Sequence, residues 1–205
     1  MKSKIPKIGF DRYIDPTWMA MAAEVVRGET AKSDLDARLA MDIKASEVRV
    51  KTPGILNRIW FPVEKESAEL ARRAAASILK GGDRAKPVAF TAITIAAYPY
   101  FGEVMETIGR LIKLQGTCAA GEVHRRMYER HGKRTTIALA DAKVFRSLVA
   151  WGVITRGEKN RLVPNAPYPM AQDGKALMDA AANAFRGSIM PLKAGDPLLF
   201  GFKAN

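Results

Sequence analysis

Between Gly116 and Pro164 the chain reads GTCAAGEVHRRMYERHGKRTTIALADAKVFRSLVAWGVITRGEKNRLVP, and this stretch constrains the fold most tightly. A helical period gives way to a glycine, then to two short β-type segments around a polar turn, with arginine and lysine throughout. That order predicts helix, turn, helix and wing. Ile137, Val144, Leu148 and Trp151 recur at spacings of seven, four and three, with Phe145 beside Val144, so one face of the second helix is apolar and must be buried. Thr135 or Thr136 suits its N-cap, and Gly152 stands just past the last periodic residue, where the left-handed C′ position favours glycine. Val153 to Arg156 and Arg161 to Val163 flank Gly157, Glu158, Lys159 and Asn160, a turn composition between strand-like residues. The preceding helix, from about Ala120 to Arg130, sends Val123 and Met127 inward and leaves Arg125, Arg126 and Arg130 on its surface.

Charge points to what such an element binds. From Arg110 to Arg161 there are twelve Lys or Arg against four acids, leaving a local net of +8 out of the chain's +12. Cationic charge concentrated on a helix-turn-helix suits a phosphate backbone, whose neutralisation releases counterions. The competing reading is a solvated basic face that keeps the protein soluble. In the second helix Thr135, Thr136, Leu139, Lys143 and Arg146 fall off the apolar face and are the candidates to approach a major groove. Lys133 and Arg134 precede them, and Arg156, Lys159 and Arg161 on the wing would meet the backbone or a minor groove. The helix has no Asn or Gln, and a hydroxyl pair with one Lys and one Arg suits phosphates at least as well as bases. The expected partner is therefore double-stranded DNA bound with little sequence preference.

The remainder reads as helical. Lys2 to Tyr13 is a basic arm with Ile5, Ile8 and Phe10 available to dock. Asp15 and Pro16 form an N-cap and N1 pair opening a helix that Gly28 ends. A helix over about Ala31 to Ala45 carries Leu35, Leu39 and Ile43 inward. Thr52 and Pro53 repeat the cap signal and are expected to open a short segment with Ile55, Leu56, Ile59 and Trp60. An alanine-rich helix from about Val63 to Leu79 follows. Val88 to Ala97 has almost no polar face and belongs at the centre, and a further helix runs from Pro99 to Leu114. Past the wing, Asp173 is expected to cap a helix from Gly174 to Phe185 with Ala176, Leu177, Ala180, Ala181 and Ala184 as a small-residue face. The apolar ending, Leu198, Leu199, Phe200 and Phe202, must bury on the body or on a partner. The fold class expected is mostly α: a helical N-terminal domain over 1–98, then a winged helix-turn-helix-like domain with a short β-hairpin over 99–205.

Catalytic chemistry is not evident. His124 and His131, seven apart on one helix face, lack a Cys or carboxylate at ligand spacing and read as solvated. Gly81, Gly82 and the following DRAK lack the ending and the preceding strand of a phosphate loop. Cys118 reads as a small residue at a helix start, and a single cysteine excludes an internal disulfide. The N-terminus has no apolar run suited to a secretory signal, and the longest uncharged run, Pro87 to Gly102, is interrupted by Pro99 and falls short of the about 20 residues a membrane span needs. No enzyme activity, cofactor, metal, membrane or small-molecule substrate is expected.

In LDARLAMDIKASEVRVKTPGILNRIW, AYPYFGEVMETIGRLI and KVFRSLVAWGVI, the chain resembles the BrxA family, the small A component of BREX phage-defence systems. The resemblance implies an accessory cytoplasmic DNA-binding protein encoded beside a methyltransferase, an ATPase and a phosphatase-like protein, with other BREX components as partners. It also implies an N-terminal bundle similar to the NusB antitermination fold. Alternatives are a winged-helix transcriptional regulator, a protein-docking adaptor using the apolar tail, or an RNA binder, the last weakened because the aromatics read as core.

Overall fold

The computed structural model describes residues 8–165 and 167–204, so Lys2 to Lys7 of the expected basic arm lie outside the described residues, as do Ala166 and Asn205. Asp15 opens α1 (Pro16–Arg27) as expected, its carboxylate accepting 2.9 Å from the Thr17 N–H, and Gly28 closes it at φ 77°. Then come α2 (Lys32–Asp42), α3 (Ser46–Trp60), α4 (Lys65–Gly81) and, after a short 3-10 turn, α5 (Lys86–Ala97). Every residue of α5 from Pro87 to Ile95 is buried, and the helix packs against α3, α4 and a C-terminal helix, the central position its uniform apolarity predicts.

Thr52 and Pro53 do not open a new segment: α3 runs through them. An interior proline costs about 3 kcal/mol, but Ile55, Leu56, Ile59 and Trp60 all bury on one face, together about 6 kcal/mol or more. Packing prevails, and the buried Thr52 hydroxyl donates 2.8 Å back to the Val48 carbonyl.

Tyr98 turns the chain into α6 (Pro99–Gln115). A two-residue strand, β1 (Cys118–Ala119), leads into α7 (Ala120–His131) and α8 (Thr135–Ala150), followed by β2 (Ile154–Arg156) and β3 (Arg161–Pro164). The three strands form one antiparallel sheet in the order β1-β3-β2, with Cys118 opposite Leu162 and Arg156 opposite Leu162 on the other side. Cys118 thus sits on a strand rather than at a helix start, and burial pushes its thiol up to about 11.

A second, parallel pair joins β4 (Tyr168–Met170) to β5 (Phe202–Ala204), between which lies α9 (Gln172–Arg186). Ala171, not Asp173, occupies the α9 cap position; the Asp173 carboxylate instead meets Lys80 of α4 at 2.9 Å. The buried face of α9 is Gly174, Leu177, Met178, Ala181 and Ala182, rotated from the expected one, with Ala176 and Ala180 half-buried and Ala184 exposed. Small residues surround this helix, so composition alone could not choose the face; Met178 and the close approach of Gly174 to Val88 do. The apolar tail folds back on the body: Leu198, Leu199 and Phe202 are buried and Phe200 half-buried.

One core runs through the whole arrangement. Trp151 lies 5.9 Å from Phe90 and 5.8 Å from Phe101, ring centre to ring centre, while its Nε1 donates 3.0 Å to the Ile14 carbonyl. The Ile14 N–H in turn donates 3.1 Å to Ser147 Oγ on α8. Among the described residues no helix is long and apolar enough to cross a membrane.

Candidate nucleic-acid interface

The periodicity of α7 and α8 sets which side chains face out. Val123 and Met127 of α7 and Ile137, Val144 and Leu148 of α8 are fully buried, as their spacing predicts. Opposite them, Thr136, Leu139, Lys143 and Arg146 recur at three and four residues and form an outer stripe on α8, with Thr135 beside it. Arg134 takes the cap position without a side-chain cap bond, so neither threonine caps the helix, and both hydroxyls are exposed on its first turn.

A buried polar network fixes the three helices against one another. Asp141 lies on the inner face of α8 with 0 % exposure, accepting from the Tyr100 hydroxyl of α6 at 2.5 Å and from His124 Nδ1 of α7 at 2.7 Å. Burial, reinforced by the Asp141 charge and hydrogen bond, raises the Tyr100 hydroxyl far above its ordinary value. His131, its side chain 3 % exposed, holds Glu103 of α6 through Nε2 at 2.6 Å, and Arg130 reaches the same oxygen at 3.2 Å. The two histidines are therefore paired with carboxylates rather than solvated. Their partners come from other helices, which spacing within α7 cannot reveal. The signal that could have shown it was Asp141, a carboxylate in the apolar stripe between Ile137 and Val144, which must find donors when buried.

The expected cations divide into two groups. On α7, Arg125 meets Glu129 at 2.5 Å, Arg126 meets Glu122 at 3.1 Å, and Arg130 meets Glu103. The Arg126 hydrogen bond holds the Glu122 carboxyl below its ordinary range. Thr107, Arg110, Arg126, Glu129 and Arg130 line an open cleft between α6 and α7, and Arg110 is matched by Glu106 at 3.1 Å. This face is close to neutral.

Among the described residues, the second group lacks such compensation. Lys133 is exposed in the turn between α7 and α8, and half-buried Arg134 donates 3.1 Å to the His131 carbonyl. On α8, Lys143 is half-buried and the Arg146 guanidinium stands 4.3 Å over the Tyr13 ring, a cation–π contact that orients it. Tyr13 itself donates 2.9 Å to Asp15; burial and then that bond push its hydroxyl up to about 12. On the hairpin, Arg156 donates to Asn160, Arg161 Nε donates 2.7 Å to Thr117, and Lys159 sits at the tip with φ 51°. The adjacent cross-strand pairing brings Arg156 and Arg161 onto one short ribbon. Uncompensated positive charge thus gathers on the α7–α8 turn, the outer stripe of α8 and the hairpin, while α7 contributes arginines already matched by acids. No family model, curated protein or solved structure matches this chain.

Proposed function

We propose that α6 to β3 form a winged helix-turn-helix and that the protein binds double-stranded DNA through it, largely without regard to sequence and without catalysis. The observation that carries this reading is the outer stripe of α8, whose cations Lys143 and Arg146 have no carboxylate partner among the described residues and are flanked by Lys133 and by the basic hairpin. The order helix, strand, helix, helix, hairpin, with β1 paired to β3, supports it, since this is how a winged unit presents its second helix to a groove. The biological setting proposed is that of an accessory cytoplasmic component of a BREX-type phage-defence system, on the resemblance to the BrxA family.

The test is a binding titration on several unrelated duplexes at two salt concentrations. Affinities agree across sequences, and log K falls with log salt by roughly 0.9 per phosphate contacted. Replacing Lys143, Arg146, Arg156 and Lys159 by alanine lowers affinity uniformly and flattens that slope by up to about three units, allowing for one group that makes no contact. The Arg125, Arg126 and Arg130 triple replacement weakens binding less, because each removed charge also frees a glutamate it was matching. A fourfold variant that bound with wild-type slope would refute the assignment of this surface.

A further inference from the structure

An apolar side chain sits at the centre of the cationic stripe. Leu139 is 58 % exposed, and its surface neighbours three and four residues away are Thr135, Thr136, Ala142 and Lys143. A lone exposed leucine is ordinary on a protein surface, but this one lies between Lys133 in the preceding turn and Lys143 and Arg146 further along the helix, cations that draw a polyanion towards the stripe. Phosphate binding alone gains nothing from it; a lysine or arginine there would serve better. The residues N-terminal to it on the stripe are two threonines, each adding a methyl group and neither carrying charge. In a helix laid in the major groove, this half meets base edges rather than phosphates. The apolar group exposed on those edges is the thymine 5-methyl.

We propose that Leu139, with the methyl groups of Thr135 and Thr136, packs against thymine methyls in the major groove, so that the protein prefers thymine-containing duplex within an otherwise sequence-tolerant interaction. This rests on the reading of α8 as the groove helix. It adds a preference that the charge pattern does not supply. The contact needs no hydrogen bond, so it tolerates many registers and adds only modest discrimination.

The experiment compares a short A·T-rich duplex with the same duplex carrying deoxyuridine at every thymine, which removes the methyl and leaves the pairing unchanged. Wild-type protein binds the thymine duplex about fourfold more tightly, the effect of roughly one methylene-sized group removed from water. Leu139→Ala, at an exposed helical position where alanine is the best helix former, folds normally and binds the two duplexes within about 1.5-fold, since little apolar area remains to be buried. Its salt slope equals that of wild type because no charge changes. Equal wild-type affinity for the two duplexes overturns the inference while leaving DNA binding intact. So does a Leu139→Ala variant that keeps the fourfold preference, or one that weakens equally on both. Wild-type protein that binds neither duplex overturns the DNA reading itself, and the thymine contact with it.

Discussion

Replacing Tyr100 by phenylalanine removes a single oxygen from the buried network and leaves the ring in place. That oxygen stands 2.5 Å from Asp141 Oδ1 and 3.4 Å from the Ile137 carbonyl, and neither Tyr100 nor Asp141 has appreciable access to water. No cavity larger than the hydroxyl forms, so the loss is the hydrogen bond to a carboxylate that, among the described residues, keeps only His124 as a side-chain donor. Bonds to charged groups contribute about 1.5–3 kcal/mol, and the second, longer contact adds little, so the expected cost is about 2 kcal/mol. For a chain of this size that lowers Tm by roughly 4–8 °C. Urea unfolding followed by tryptophan fluorescence reads it, since Trp151 lies in the shared core. The decisive comparison is the same replacement on an Asp141→Leu background. With the carboxylate gone there is no buried acceptor to leave unmatched, and the cost falls below about 0.5 kcal/mol, giving a coupling of at least about 1.5 kcal/mol. Equal costs in both backgrounds would refute the account of this network. Well below its Tm, the single variant keeps the wild-type salt slope in DNA titrations, because the network lies behind the cationic stripe.

Gly109→Ala places a Cβ 1.9 Å from the Pro197 carbonyl, a backbone atom, so the 197–199 turn must detach; about 3 kcal/mol is lost by urea unfolding, and residues 197–199 become susceptible to proteolysis. Gly102→Ala, whose Cβ first meets the half-buried Phe185 ring at 2.9 Å, a side chain that can shift, costs less than half of that, and equal losses would undo the distinction. At Asp196, burial raises the carboxyl but the paired Arg186 guanidinium and the Leu198 N–H outweigh it, leaving the group below its ordinary range. A depressed carboxyl stabilises fully above the unfolded value near about 4 and loses that contribution as pH falls through the folded value, so Tm of wild type drops more steeply below about pH 4 than that of Asp196→Asn. Parallel Tm curves for the two proteins would contradict it.

Local chemistry was readable where it acts over one turn or one helical period. Asp15 with Pro16, the buried stripe through Ile137, Val144 and Leu148, and the turn at Gly157 to Asn160 all follow from neighbours in sequence. Pairing over distance was not: β1 needs Leu162, and β4 needs Phe202, partners whose proximity only the folded core creates. The interior proline of α3 kept its helix because burial outweighed a local rule. The charge count left the pairing on α7 out of view for a different reason. Summed over a window, its arginines looked like binding cations, yet Glu122 with Arg126 and Arg125 with Glu129 stand at the i, i+4 spacing that matches them in pairs. The surplus that remains belongs to α8 and the hairpin.

The strap formed by Ile14 has a practical bearing on any attempt to isolate residues 99–205. A fragment starting at Pro99 would strip the indole of Trp151 of its acceptor and Ser147 of its donor, and would uncover the side of that ring now shielded by Phe90. Arg146 would also lose the aromatic plate of Tyr13 that orients it. Helix α8 and Trp151 beyond it are held by Tyr13 and Ile14, so changes near residues 8–15 reach the outer stripe of α8 even though they are far from it in sequence.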